Sequence, residues 1–212
     1  MFNYTITFQQ SADIFYPYGH TVKRPSPGKI SGAHKTKLVF WIVSNCKPKK
    51  RMQYKKELEK YIPVDMIGAC NKTYGDPCKR DYRCTLALKK QYKFYLAFEN
   101  SLCQEYITEK FWKALNEGMV PIVMGAPRNA YERVAPPHSF IHVDDFSSPK
   151  ELAAYLLDLN KNNSRYDEYH KWRETHAVQW NSANCDICRF AREKPQKVTD
   201  ITRIWNAKEH CI

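Results

Sequence analysis

Three segments, KLVFWIVSN (37–45), KFYLAFEN (93–100) and MVPIVMG (119–125), run apolar over consecutive positions before ending in polar or small residues. A strand with no polar face is buried on both sides, which happens in parallel sheets covered by helices above and below. The intervening stretches have matching helical character. Tyr54, Leu58, Tyr61 and Ile62 recur at helical spacing before a strand-like run, VDMIG (64–68). Residues 105–116 read as an amphipathic helix closed by Gly118, SFIHV (139–143) as a strand, and 148–160 as a helix begun by Ser147, Ser148 and Pro149. This alternation predicts an α/β fold, a Rossmann-like parallel sheet, over residues 35–180. Residues 1–34 read as a lead-in segment, 69–86 as an irregular surface loop, and 181–212 as a cysteine-bearing, helical appendage.

Sheets of this class bind ligands beyond the carboxyl ends of their strands, and two unusual regions fall there. The first is basic. The chain has 34 Lys and Arg against 22 Asp and Glu, a formal net charge of +12. The excess is concentrated at positions 35, 37, 47, 49, 50, 51, 55, 56 and 60, opposed locally by only Glu57 and Glu59. A single cluster suits a phosphate-bearing small ligand at least as well as long DNA, which is contacted from several elements. No nucleic-acid partner is expected.

The second region is YLAFENSLCQEYITEKFWKALNEG (95–118), where Glu99, Asn100, Tyr106, Glu109 and Lys110 crowd a strand-to-helix junction. Tyr106 to Lys110 would open a helix whose Ile107, Phe111 and Leu115 face the core. Unpaired backbone N–H groups and the positive dipole end favour an anion there, and Lys110 adds a point charge. Glu109 cannot serve a phosphate but can accept hydrogen bonds from ribose hydroxyls, as acidic residues do in nucleotide sites.

Eight cysteines, Cys46, Cys70, Cys78, Cys84, Cys103, Cys185, Cys188 and Cys211, coincide with three glycosylation sequons at Asn3, Asn71 and Asn162. Together they point to an oxidising lumen, with all eight cysteines as disulfide candidates. Cys185 and Cys188 also have zinc spacing, but no second pair matches it, and disulfides are preferred. The opening MFNYTITFQQ lacks the charged and apolar regions of a signal peptide, and LVFWIV is too short to cross a bilayer. A secretory chain without a signal reads as the downstream part of a longer polypeptide.

The ordered series FENS, YITEK, VPIVMG and SFIHVDDF resembles the donor-binding half of the α1,3-fucosyltransferase family, and FNYTITFQQSADIFYPYG resembles the segment that precedes it there. The resemblance runs from Met1 to about residue 190. It implies the C-terminal half of a glycosyltransferase-B fold, with residues 1–34 leading in from an acceptor-binding domain. GDP-fucose is the implied donor substrate: Arg51 and Lys110 on the diphosphate, Glu109 on the ribose, Asn100 and Tyr106 lining the nucleotide. The implied reaction inverts the fucose to an α1,3 linkage on N-acetylglucosamine of glycoprotein N-glycans. No cofactor or divalent metal is required, Asp144 and Asp145 not forming a metal motif. No catalytic residue is expected in this chain, because the family's Glu base lies in the first domain. The implied location is the Golgi lumen, with membrane attachment only through an anchor outside this chain.

Two departures from the family pattern stand out. The family's Arg sits one residue further from the Ser-Asn pair than Arg51 does from Ser44 and Asn45, so Lys49 or Lys50 are alternatives. TEKFWKALNEG is one residue short before Ala-Leu, a change that rotates the rest of the helix by about 100° and puts the packing of Leu115 in question. The cysteine placement looks most like the invertebrate core-type branch, which modifies the asparagine-linked N-acetylglucosamine; the Lewis-type branch, acting on outer N-acetyllactosamine, is the alternative. A reading from another class is a basic, non-enzymatic module that binds anionic glycans or nucleic acid.

Overall fold

The computed structural model describes residues 4–28, 35–71, 75–79, 81–180, 184–193 and 211. In chain order the elements are β1 (Ile6–Thr7), β2 (Ile14–Phe15), β3 (His20–Lys23), β4 (Lys37–Ile42), α1 (Lys49–Leu58), β5 (Val64–Ile67), α2 (Tyr82–Lys89), β6 (Tyr92–Phe98), α3 (Glu109–Asn116), β7 (Val120–Met124), α4 (Arg128–Val134), β8 (Ile141–His142), α5 (Pro149–Lys161), α6 (Asn163–Glu168), β9 (His176–Gln179) and α7 (Asn184–Glu193). Strands β4 to β8 form one parallel sheet in the order β5-β4-β6-β7-β8. The chain passes from β4 to β5 on one side, then returns to β6 on the other. The winding reverses between β4 and β6, which are hydrogen-bonded neighbours with Val39 opposite Phe94. Loops leaving these two strands diverge to opposite faces and open a crevice.

The continuous apolar character of β6 is explained by cover on both faces. Phe94, Leu96 and Phe98 pack with Leu58 of α1 and Leu152, Leu156 and Leu159 of α5. Tyr95 and Ala97 pack with Phe111, Trp112 and Leu115 of α3 and Tyr131 of α4. Burying each large apolar side chain is worth about 1.5–3 kcal/mol, so β6 is the stability centre of the fold. Leu115 is 1% exposed, so the shortened TEKFWKALNEG stretch still directs it into the core.

Three local expectations are corrected, and one helix is added. The helix foreseen over 105–116 starts only at Glu109, because Glu105 takes a left-handed φ of 59° and Thr108 is an extended N-cap. Residues 69–86 are not wholly irregular: Asp81 caps α2 by accepting from the Arg83 N–H at 2.8 Å. The strand foreseen over 139–143 narrows to Ile141–His142, since only these two residues pair with β7. Finally, α4 follows Pro127 in a stretch without a long periodic signal. Outside the sheet, β3 pairs antiparallel with β9, joining segments before and after it. Among the described residues no helix is long and apolar enough to cross a membrane.

Six cysteines pair as Cys46–Cys70, Cys78–Cys84 and Cys103–Cys211. Cys188, expected as a disulfide candidate, instead carries a free, exposed thiol on α7. The side chain of Cys185 and the whole of Asn3 lie outside the described residues. Asn162 is exposed at the cap of α6, whereas the Asn71 amide donates to the Met66 carbonyl at 2.6 Å.

Candidate functional site

The strand ends that flank the reversal point carry the site. At the end of β6 the Glu99 side chain is fully buried and accepts from the Thr108 backbone N–H at 2.8 Å and from its hydroxyl at 2.8 and 2.9 Å. The first free N–H of the turn into α3 is thus satisfied by a carboxylate rather than by the capping Thr108 itself. Lys110, one residue into α3, donates from Nζ to Glu99 Oε2 and to Thr108 Oγ1, both at 2.8 Å. Burial pushes the Glu99 carboxyl up, and these donors pull it back toward the ionised form. Burial alone would lower Lys110, but the Glu99 carboxylate outweighs it and the ammonium is held above its ordinary range.

Arg51 reaches the same place from α1. It is 3% exposed and spans the two strand ends, donating to the Phe98 carbonyl at 3.0 Å and to the Asn45 carbonyl. Its Nε has no partner among the described residues, and its face lies over Trp41, 5.7 Å from the ring centre. Burial lowers its pKa, with the Glu99 carboxylate acting in the opposite direction. The Cys46–Cys70 disulfide anchors the loop that supplies the Asn45 carbonyl, so the position of Arg51 is braced from both sides.

Between these groups lies a cleft of about 310 Å³ lined by Ser44, Asn45, Arg51, Asn100, Glu109 and Lys110, and also by Lys89, Tyr95 and Lys113. Four of the five residues expected to touch the donor therefore converge on one hollow. The fifth, Tyr106, sits half-buried beside it with its ring 5.3 Å from Phe8, in a loop tied to the chain's end by Cys103–Cys211. Lys49 and Lys50, the alternatives to Arg51, are exposed on α1. Lys89 and Lys113 had no signal in the sequence, because nothing local says that α2 and α3 meet at this cleft. Among the described residues, no three His, Cys, Asp or Glu side chains converge as a metal centre would need.

A crevice at the reversal point of a doubly wound sheet, walled by cations and a helix N-terminus, has the chemistry to suit a nucleoside diphosphate. The family model for the C-terminal part of glycosyltransferase family 10 (fucosyltransferase) matches residues 32–206. The chain belongs to this family. Human 4-galactosyl-N-acetylglucosaminide 3-alpha-L-fucosyltransferase is 41% identical over 212 residues, covering 96% of this chain and 57% of that protein. Glycoprotein 3-alpha-L-fucosyltransferase A of Drosophila melanogaster is also 41% identical, over 226 residues, covering 99% of this chain and 44% of its own length. The chain thus spans about half the length of these family 10 relatives. A solved α1,3-fucosyltransferase superposes with a TM-score of 0.61 at 24% identity, over 77% of this chain and 48% of that one. An α1,3-fucosyltransferase solved with GDP gives 0.56 at 28%, over 65% and 39%. These likenesses bear out the expected fold, the parallel-sheet half of a glycosyltransferase-B architecture.

Proposed function

We propose that this chain is the donor half of an inverting α1,3-fucosyltransferase that takes fucose from GDP-fucose. The observation that carries the reading is the convergence of Arg51 and Lys110, from the helices that follow the neighbouring strands β4 and β6, on one cleft at the N-terminus of α3. The GDP-bound relative supports the same ligand class. Lys110 and Arg51 would face the diphosphate, Glu109, half-exposed on the cleft wall, the ribose hydroxyls, and Asn100 and Tyr106 the nucleotide.

In the reaction, an acceptor hydroxyl oxygen bonds to the anomeric carbon as its bond to the β-phosphate oxygen breaks. GDP leaves with the electron pair, and the hydroxyl proton passes to a base. Departure is slow unless the growing phosphate charge is met by fixed positive groups, and preorganised donors in a partly dry cleft supply that stabilisation. Arg51, Lys110 and the α3 N-terminus meet the requirement with side chains and backbone alone, so we infer a transfer that needs no divalent metal. The base is assigned to the acceptor-binding domain, since Glu99 is already bonded to Thr108 and Lys110.

For the acceptor we infer the asparagine-linked N-acetylglucosamine of glycoprotein N-glycans. The cysteine placement supports this core-type reading; relatives of both acceptor classes are 41% identical, so identity favours neither. The three disulfides among the described residues support a lumenal setting in the secretory pathway, the Golgi being the compartment of the reading. Calorimetric titration of GDP into the purified chain, with AMP and heparin as rivals, tests the donor reading. Saturable binding that prefers GDP upholds it, and binding of heparin without GDP assigns the chain to an anionic-glycan module instead. Labelled GDP-fucose offered to an enzyme carrying these residues, with core N-glycopeptide and N-acetyllactosamine in competition, decides the acceptor.

A further inference from the structure

We propose that Glu99 is a positioning residue: its buried carboxylate, together with the Thr108 hydroxyl, holds the Lys110 ammonium at one point on the cleft wall with an N–H left over for a phosphate oxygen. The inference rests on the diphosphate reading of the cleft. An ammonium has three donors. Two are engaged at 2.8 Å by Glu99 and Thr108, while Glu109 Oε1 stands at 3.5 Å, too far for a strong bond. A lysine free in solution must lose its rotamer freedom on meeting a ligand, and Lys110 has lost it already.

The cradle for Glu99 is built into the backbone. Its N–H donates to the Met124 carbonyl at 2.8 Å, continuing the β6–β7 ladder past its last paired residue. A Cβ at Gly125 would lie 2.7 Å from Glu99 Cγ and 2.9 Å from Glu99 Cβ, so the carboxylate's stem occupies the space a side chain there would fill. The ionisable groups facing Glu99 are Lys110 and Glu109 of α3, Arg51 of α1, Tyr131 of α4, Tyr95 of β6 and Tyr106 of the loop. Burial pushes all three tyrosines up and keeps them neutral. Lys110 is the cation bonded directly to the carboxylate.

Replacing the carboxylate by an amide has two opposed effects on an anionic ligand: the ammonium loses its counter-charge, which favours binding, and loses its tether, which disfavours it. Affinity at neutral pH is therefore a poor readout, and protonation is a good one. Without Glu99 the mostly buried Lys110 falls in pKa. Lys35 illustrates the outcome: burial, with Arg173 nearby, pushes it down to about 8.

The test compares the full chain with Glu99→Gln and Gly125→Ala. Brief acylation at pH 8, read by peptide mass spectrometry, labels unprotonated amines. Lys110 labelling is expected to rise about 10-fold in Glu99→Gln, the factor that one unit of pKa represents, and less in Gly125→Ala, with Lys35 as the unchanged internal reference. GDP affinity of the variant relative to the unaltered chain should also fall between pH 7 and 9.5, titration of the nucleotide cancelling in the ratio. Unchanged Lys110 labelling and parallel pH profiles, in a chain that binds GDP, overturn the positioning role alone. Failure of the unaltered chain to bind GDP overturns the donor reading and this role with it. Should Glu99→Gln fail to fold, Gly125→Ala decides by the same two readouts.

Discussion

At the N-terminal end of α3, Lys110 is paired with a carboxylate 2.8 Å away, while at its C-terminal end Arg173 donates to the Leu115 carbonyl and Lys35 donates to the Tyr92 carbonyl at 2.8 Å. Both ends open onto basic hollows, of about 310 Å³ and about 490 Å³. The larger is the poorer anion site. Arg173 faces the negative pole of the helix and caps the Leu115 carbonyl, and Lys35 is bonded to the Tyr92 carbonyl of β6, so their charge is already answered by backbone. Burial there pushes Lys35 down to about 8 and Arg173 to about 10. Lys89 near this end lines the cleft of about 310 Å³ as well, and its ammonium, paired with Glu117 at 2.7 Å, is almost inaccessible, unlike that of Lys110. Basic residues around a hollow therefore do not by themselves make an anion site; under the proposed reading, the helix pole they flank decides.

If the two ends differ in this way, Lys110→Ala should weaken GDP binding by roughly 10- to 150-fold, the loss of one charge-assisted hydrogen bond. Arg173→Ala should leave it within about 2-fold by calorimetry. Equal losses in both variants would erase the distinction. Arg173→Ala should instead act on stability, lowering the unfolding free energy in urea by about 1.5 kcal/mol as the Leu115 carbonyl loses its charged donor. An unchanged urea midpoint would mean that the tie contributes nothing.

The remaining effect is on pH. Lys35 has a folded pKa of about 8, below the 10.5 of the exposed side chain, so between these values the unfolded chain binds more protons and stability rises with pH. Lys35→Met lacks that gain. Its stability relative to the unaltered chain should decline by about 1–2 kcal/mol from pH 7.5 to 9.5, measured as paired melting curves. A flat difference would place the Lys35 ammonium in water, not in the protein.

The strands β6 and β7 were legible because residues 94–98 and 120–124 are runs of consecutive apolar residues, a signal that survives without knowing the neighbours. The start of α3 was not legible: residues 105–108 are acceptable helix formers, and only the left-handed Glu105 and the capture of the Thr108 N–H by Glu99 delay the helix to Glu109. The eight residues of α2 lay partly hidden in a segment of turn formers, held by Cys78–Cys84 and the Asp81 cap. Arg51 lines the cleft despite its shifted spacing, yet its hold on the Phe98 carbonyl, 47 residues away, has no local trace.

Periodicity and composition, which are properties of neighbouring residues, were enough for the parallel α/β sheet, the strand ends where a ligand would sit, and the pool of cations near them. Partner choice needed the folded chain. Whether a lysine caps a carbonyl, as Lys35 does, or faces a cleft beside a buried carboxylate, as Lys110 does, depends on which groups packing removes from water together. So does the pairing of Cys103 with Cys211 across 108 residues while Cys188 stays free. Burial makes an unpaired charge or polar group costly, and only the tertiary arrangement decides which groups are buried and which partner is within reach.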